Sequence, residues 1–122
     1  MRKIETQMNG AIATKTNWSN TNTSVEYHAS ENLSEVRLHG HLIAWYDHTK
    51  LSLGISSCGY ETRTTKSRLN AILTTFYKNV GIYQINWQWF ISDQFGMGET
   101  FYDGMIVTKD GVSSIQSHPN IA

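Results

Sequence analysis

The chain has 122 residues with ten basic and ten acidic side chains, so its formal net charge is zero. Charged residues make up 16% and apolar residues 39%, which excludes a long coiled coil and a charge-rich disordered chain. A neutral chain also argues against a general nucleic-acid coat, because such proteins bind by neutralising phosphates. The length is that of one domain, which we place at residues 1–112, with a flexible tail expected at 113–122.

The first half of the chain is predicted to hold a short helix followed by short strands. Apolar residues recur at helical spacing over residues 2–14, and residues 17–24 have the composition of a loop. From Thr23 onward apolar and polar residues alternate in short strands. His-Gly-His at residues 39–41 is typical of a hairpin turn. Since no helix-length connection separates these strands, we expect an antiparallel meander.

The clearest helix signal covers about residues 65–79, with Thr64 or Thr65 as the candidate N-cap. The apolar side chains of Tyr83, Ile85, Trp87, Trp89 and Ile91 alternate with the amides of Gln84, Asn86 and Gln88, which predicts a single strand with its aromatic rings in the core. A last strand is predicted from 100 to 107. The predicted fold is therefore α+β: a single domain with an antiparallel sheet of about five strands, one main amphipathic helix packed on it and a short N-terminal helix.

The start of the predicted helix is the main candidate site. It gathers three cations and four hydroxyl side chains, namely Thr62, Arg63, Thr64, Thr65, Lys66, Ser67 and Arg68. The helix dipole disfavours cations at this end, whereas free backbone N–H groups there favour an anion. The segment predicts a contact with an anionic ligand, such as a nucleic-acid phosphate. The alternative is an ordinary capped helix whose cations are solvated or paired with Glu35 or Glu61. A Walker glycine pattern is absent, so nucleoside triphosphate hydrolysis is not supported.

Histidine and cysteine spacing gives weaker signals. His39, His41 and His48 have the spacing of a partial zinc site, but no further ligand completes the set, so surface histidines are expected and no metal or cofactor is predicted. Cys58 precedes the helix, where a dipole can activate a thiol, yet no base is identified and a packed cysteine is expected. With no catalytic set, the chain is predicted not to be an enzyme. A lone cysteine fits a reducing cytosol, and no apolar run predicts membrane insertion.

Several stretches resemble a group of small phage and phage-derived proteins. These stretches are residues 34–44, 51–53, 59–73 and 87–91. They share the hairpin, the helix start T-x-T-T-K-S-R-L-N-A at residues 62–71, and the closing aromatic strand. The resemblance covers about residues 2–92. It implies a viral origin and a host-cytoplasm setting, and it implies no activity.

Two functional hypotheses from different classes follow. The first is a small, non-catalytic, phage-type binding protein that contacts DNA or RNA through residues 62–70. The alternative is a protein-interaction or inhibitor module that acts on host or phage proteins, or that self-associates into a homo-oligomer through an exposed strand edge. Nucleic-acid binding that weakens with salt and with loss of Arg63, Lys66 and Arg68 would separate the first hypothesis from the second.

Overall fold

The computed structural model describes residues 1–113 and consists mainly of strands with two helices. The elements in chain order are α1 (Lys3–Thr14), β1 (Trp18–Asn20), β2 (Thr23–His28), β3 (Leu33–Leu38), β4 (His41–Asp47), β5 (Ser52–Ile55), α2 (Arg63–Phe76), β6 (Gly81–Ile85), β7 (Gln88–Ser92), β8 (Gly98–Thr100), β9 (Met105–Thr108) and β10 (Gly111–Ser113).

The strands of this described part form two antiparallel sheets. A seven-stranded sheet has the order β1-β2-β3-β4-β5-β9-β10, and a three-stranded sheet has the order β6-β7-β8. Strands β1 to β5 pair in sequence as a meander. The chain then leaves the large sheet through α2 and the small sheet, and it returns as β9 beside β5. The small sheet is therefore an insertion between β5 and β9 of the large one.

The core lies where the two helices pack against the sheets. Helix α1 contacts α2 and β2, while α2 also contacts β4 and β6. Met8 and Ile12 of α1 and Leu69, Ile72 and Leu73 of α2 are all fully buried in one hydrophobic cluster with strand residues. Each such side chain contributes about 1.5–3 kcal/mol through burial. The apolar face of α2 thus packs in the core, and other side chains of α2 can contact the neighbouring strands.

Two residues, Asn70 and Gly54, determine how neighbouring elements pack together. The amide of Asn70 on α2 accepts from Ile82 N at 2.7 Å and donates to Ile82 O at 3.0 Å, which attaches β6 to the helix. Gly54 on β5 lies directly opposite Trp45 on β4, and a Cβ at Gly54 would overlap the indole ring. The ring of Trp45 therefore packs over the backbone of β5 because residue 54 has no side chain.

The predicted α+β arrangement is wrong. The described chain is mostly β, with ten strands in a seven-stranded and a three-stranded sheet and two helices, instead of one sheet of about five strands with one main helix. Part of the difference lies in residues 17–24, which hold β1 and the start of β2, joined through Thr21 with φ of 54°. The strand predicted at 100–107 is also divided, because the chain turns at Gly104 with φ of 92°.

The single strand predicted at 83–91 is a hairpin. Strands β6 and β7 are joined by the two residues Asn86 and Trp87, whose φ angles are 50° and 69°. In this register Ile85 lies opposite Gln88. A two-residue turn therefore places odd-numbered residues on one face before the turn and on the other face after it. The apolar residues nevertheless keep their odd-numbered positions through the turn. The periodicity of the sequence therefore gives no sign of the turn.

Other predicted elements are confirmed with shifted ends. Helix 2–14 is α1, and the turn at residues 39–41 joins β3 to β4, with positive φ at His39 and Gly40. The main helix begins earlier than predicted, at Arg63 with Thr62 as N-cap, and it ends at Phe76. Of the tail predicted at 113–122, Ser113 closes β10 and the remaining residues lie outside the described part.

Candidate functional site

The predicted site forms the first two turns of α2, where the hydroxyl residues serve the helix itself. Thr62 is the N-cap, and its Oγ1 accepts a hydrogen bond from Thr65 N at 3.2 Å. The hydroxyls of Thr62 and Thr65 lie 2.9 Å apart, and Thr65 is buried. Such a cap stabilises a helix by about 1 kcal/mol. Two of the hydroxyls that suggested an anion site are therefore occupied by helix capping.

Arg68 lies inside the protein rather than at its surface. Its Nη1 lies 2.9 Å from Glu5 Oε2, and the two side chains are 4% and 2% exposed. The guanidinium also donates to Thr23 Oγ1 at 3.0 Å and to Asn22 Oδ1 at 3.3 Å. Arg68 thus joins α2 to α1 and to the start of β2. A ligand in solution has no access to this cation, and its role is to hold elements together.

Glu5 is the centre of this buried polar cluster. Burial disfavours its charged form, but hydrogen bonds from Ser67, the Arg2 backbone N–H and Arg68 outweigh burial and hold the pKa of the carboxyl below its ordinary value. The hydrogen bond from Ser67 Oγ to Glu5 Oε2 is 2.6 Å long. Ser67, like Arg68, is therefore directed at a carboxylate of the same chain. We name Glu5, Ser67 and Arg68 the buried ion-pair cluster.

The other two cations of the segment lie in different surroundings. Arg63, at the first position of α2, is exposed. Lys66 is half-buried, and its Nζ donates to Gln84 Oε1 on β6 at 3.2 Å. The three cations therefore do not form one surface: one is in the core, one faces the small sheet, and one is in solvent.

A cavity of about 380 Å³ opens beside the helix start. Thr62, Thr64 and Thr65 line it together with His41 and Tyr60, whose rings stack with centroids 4.6 Å apart. Arg63, Lys66 and Arg68 are not among its lining residues. Of the seven predicted site residues, the structure brings together only the three threonines at this cavity.

The three histidines whose spacing resembles part of a zinc site do not come together. His39 is exposed in the turn, and His41 stacks on Tyr60. His48 lies elsewhere, with Nε2 2.8 Å from Ser34 Oγ. Burial and the nearby Lys15 lower the pKa of His48, although Asp47 acts in the opposite direction. His39 and His41 are exposed, as expected for surface histidines, and His48 lies apart from them.

Cys58 packs against the backbone. Its thiol donates to the carbonyl oxygen of Leu42 at 2.7 Å, and Ser56 Oγ donates to the sulfur at 3.7 Å. The residue is half-buried and has φ of 54° in the connection between β5 and α2. These contacts account for the cysteine as a packed side chain in a tight connection.

The most unusual surface is the outer side of the small sheet. Tyr83, Ile85 and Trp87 are 38%, 54% and 88% exposed. Tyr83 lies opposite Phe90 in the register, and their rings stack with centroids 5.6 Å apart. The residues on the other side of the same hairpin, Ile82, Trp89 and Ile91, are buried. We name Tyr83, Ile85, Trp87 and Phe90 the aromatic hairpin surface.

The backbone at Trp87 adds a second anomaly. A bulky aromatic residue rarely adopts a φ of 69°, because the left-handed region costs an L residue about 1 kcal/mol or more. Burial of the Trp87 side chain offsets little of this cost, because most of the side chain is exposed. Periodicity alone placed this residue and Tyr83 in the core, which is wrong. The available signal was Asn86, because asparagine is favoured at the first position of a two-residue hairpin turn.

Comparison with known proteins places the chain in a phage family. The model of the Kyanoviridae Gp96 protein family matches residues 1–108. The chain therefore belongs to this family, and the phage origin that the resemblance implied is confirmed at that level. No curated protein and no solved structure matches the chain. Within residues 1–113, neither helix has the length and apolar character needed to cross a membrane.

Proposed function

We propose that this phage protein is a non-catalytic interaction module that docks onto a protein partner through the aromatic hairpin surface. The observation that carries the proposal is Trp87, which is 88% exposed at the tip of β6–β7 in a backbone conformation that is unfavourable for tryptophan. Backbone strain of this kind concentrates at functional sites. Contacts within this chain cover little of the Trp87 side chain. We therefore assign the side chain to a contact with another molecule.

The chemistry around Trp87 favours a protein as the partner. Tryptophan and tyrosine are enriched at the energetic centres of protein interfaces, where they fill apolar pockets. Asn86 and Gln88 are exposed beside the aromatic residues. Their amides supply the polar rim that surrounds such a centre. The partner is expected to offer an apolar pocket for the indole, bordered by backbone or amide hydrogen-bonding groups.

Nucleic acid is the less supported ligand. Binding DNA or RNA requires several cations that neutralise successive phosphates. Of the three cations predicted at α2, Arg68 is paired with Glu5 inside the protein, which leaves Arg63 and Lys66. The chain as a whole carries no net charge. Exposed aromatic rings could stack on bases, but of the predicted α2 cations only Arg63 and Lys66 remain to contact phosphates.

The proposal is tested by crosslinking followed by affinity measurement. A photo-crosslinking amino acid is placed at position 88, next to Trp87 so that the indole is kept, and at position 51 as a control, in chains incubated with lysate of phage-infected host cells. Leu51 is a matched control because it is 59% exposed and, like Trp87, has a left-handed φ, of 53°. We expect one defined protein to be captured from position 88 only. Its affinity for the purified chain should fall at least ~30-fold with Trp87→Gly, as for an interface hot spot.

The outcomes separate the candidate ligands. Unchanged partner affinity in Trp87→Gly, or an equal loss in Leu51→Gly, would contradict the proposal. Dimerisation that depends on Trp87 without any other protein would make the partner a second copy of this chain. Salt-dependent binding of single-stranded oligonucleotides that is lost in Arg63→Ala and Lys66→Ala, and kept in Trp87→Gly, would support the nucleic-acid hypothesis instead.

A further inference from the structure

Three potential metal-ligand side chains meet on the large sheet, away from the aromatic hairpin surface. Glu26 on β2 lies directly opposite Glu35 on β3, and His28 follows Glu26 by two residues on the same face of the strand. His28 Nε2 lies 2.9 Å from Glu26 Oε1 and 2.7 Å from Glu35 Oε1. One ligand atom from each residue lies within 4.8 Å of the others. Strand pairing holds these atoms together, so no loop has to close.

The electrostatics of this cluster favour a cation beside the two carboxylates, and Arg37 already lies near Glu35. Like charges directly opposite each other on antiparallel strands destabilise the pair. Glu35 is only 5% exposed, so water screens its charge poorly. An imidazole carries at most one proton on Nε2, so Nε2 can direct only one well-aligned hydrogen bond at the two carboxylate oxygens. A divalent ion in the position of that proton would contact both carboxylates.

We propose that Glu26, His28 and Glu35 form a binding site for a divalent transition metal of the zinc class. Metal bonds to nitrogen and carboxylate oxygen are about 2.0–2.2 Å long, which places neighbouring ligand atoms of a tetrahedral site about 3.3–3.6 Å apart. The Nε2 to oxygen distances of 2.7 and 2.9 Å are shorter, so the side chains would separate by about half an ångström to admit the ion. An imidazole with two carboxylates suits zinc or cobalt better than calcium or magnesium, which favour oxygen ligands alone.

The chemistry of binding is a simple exchange at one atom. Nε2 gives its lone pair to the metal, so the imidazole must be neutral with its proton on Nδ1, and a proton that Nε2 carries before binding passes to solvent water. Glu26 is exposed and His28 half-buried, which lets water complete the coordination sphere.

Arg37 provides an internal competitor. Its Nη2 lies 3.3 Å from Glu35 Oε1, the same oxygen that contacts His28. A guanidinium and a metal ion compete for this oxygen, and their like charges repel. Arg37→Gln should therefore bind metal more tightly than the wild type, by roughly threefold or more. A purely structural role for the three residues gives no reason for this change in metal affinity.

The test is a titration of the full chain with Zn²⁺ by calorimetry and with Co²⁺ by visible absorption. We expect one metal per chain, unchanged by excess Mg²⁺, and a loss of at least about tenfold in affinity for His28→Gln and for Glu26→Gln. His39→Asn is the matched control, because His39 is exposed, lies outside the cluster and has a φ of 52° that asparagine tolerates. No saturable binding at about millimolar Zn²⁺ would overturn the proposal, as would an equal loss in His39→Asn. If His28→Gln or Glu26→Gln fails to fold, Arg37→Gln decides: tighter binding supports the site, and unchanged or weaker binding contradicts it.

Discussion

The buried ion-pair cluster and the aromatic hairpin surface reverse the usual placement of charges and rings. Glu5 and Arg68 face each other with side chains 2% and 4% exposed, while Trp87 is 88% exposed. Charged residues are seldom buried unless they are paired, and a large exposed aromatic group often marks a contact site. The comparison shows that Arg68, near the start of α2, serves the fold, whereas Trp87 at the tip of the β6–β7 hairpin is covered little by its own chain.

The largest expected effect sharpens the first half of this comparison. Arg68→Ala leaves the Glu5 carboxylate buried and without its guanidinium, and it should lower the free energy of unfolding by about 3–5 kcal/mol. Arg63→Ala, five positions earlier and exposed, should change it by less than about 0.5 kcal/mol. Urea denaturation of both variants measures the difference. Equal effects would mean that Arg68 has no special structural role.

Two tryptophans of one hairpin give the second comparison. Trp89 is 2% exposed and packs edge-on against Phe101, with ring centroids 5.4 Å apart. Trp89→Ala should therefore cost about 3 kcal/mol or more of stability through the cavity it leaves. Trp87→Ala, at the exposed tip, should cost less than about 0.5 kcal/mol. A comparable loss in both variants, measured by thermal unfolding, would show that Trp87 packs within the chain.

The pH dependence of stability tests the cluster without removing Arg68. The pKa of Glu5 in the folded protein lies below its ordinary value of 4.5. Its contribution to stability is therefore present above that value and is lost as the pH falls through the folded pKa. Glu5→Gln should show a shallower fall in unfolding free energy than the wild type over about pH 3–5. Glu31→Gln, which changes an exposed carboxylate, serves as control and should keep the wild-type slope.

The smallest expected effect has the opposite sign. Trp87→Gly removes a bulky residue from a left-handed conformation and creates the Asn-Gly sequence favoured in two-residue hairpin turns. We expect the free energy of unfolding to rise by about 0.5–1 kcal/mol, in contrast to the loss of partner binding proposed above. Calorimetric unfolding of the variant gives the answer. A clear loss of stability would mean that the indole is needed for the fold.

The sequence contained more information about Arg68 than its charge. Thr65, Arg68 and Ile72 lie three and four positions apart, so helical spacing places Arg68 on the apolar face of α2. Charge alone grouped it with Arg63 and Lys66. The acidic partner could not be predicted, because Glu5 comes from α1, and the packing of α1 on α2 is a tertiary fact that no local pattern contains.

The fold was predictable where turn-forming residues interrupt the apolar–polar pattern. It was not predictable where that pattern continues through a turn. His39-Gly40 marked a hairpin, and α1 followed from its apolar spacing. The alternation from Tyr83 to Ile91 passes through the turn at Asn86 without a break, although the side chains change face there. The return of β9 to the side of β5 depends on long-range pairing, which sequence periodicity does not report.

Hydroxyl-radical footprinting of Trp87 tests the central claim most directly. The purified chain and the chain recovered from lysate of phage-infected host cells are oxidised in parallel, and each tryptophan is quantified by mass spectrometry. Because Trp87 is 88% exposed and Trp89 is 2% exposed, we expect strong oxidation of Trp87 and little oxidation of Trp89 in the purified chain. In the lysate Trp87 should become protected, while exposed Leu51 stays unchanged. Equal oxidation of Trp87 in both samples would contradict docking through the aromatic hairpin surface.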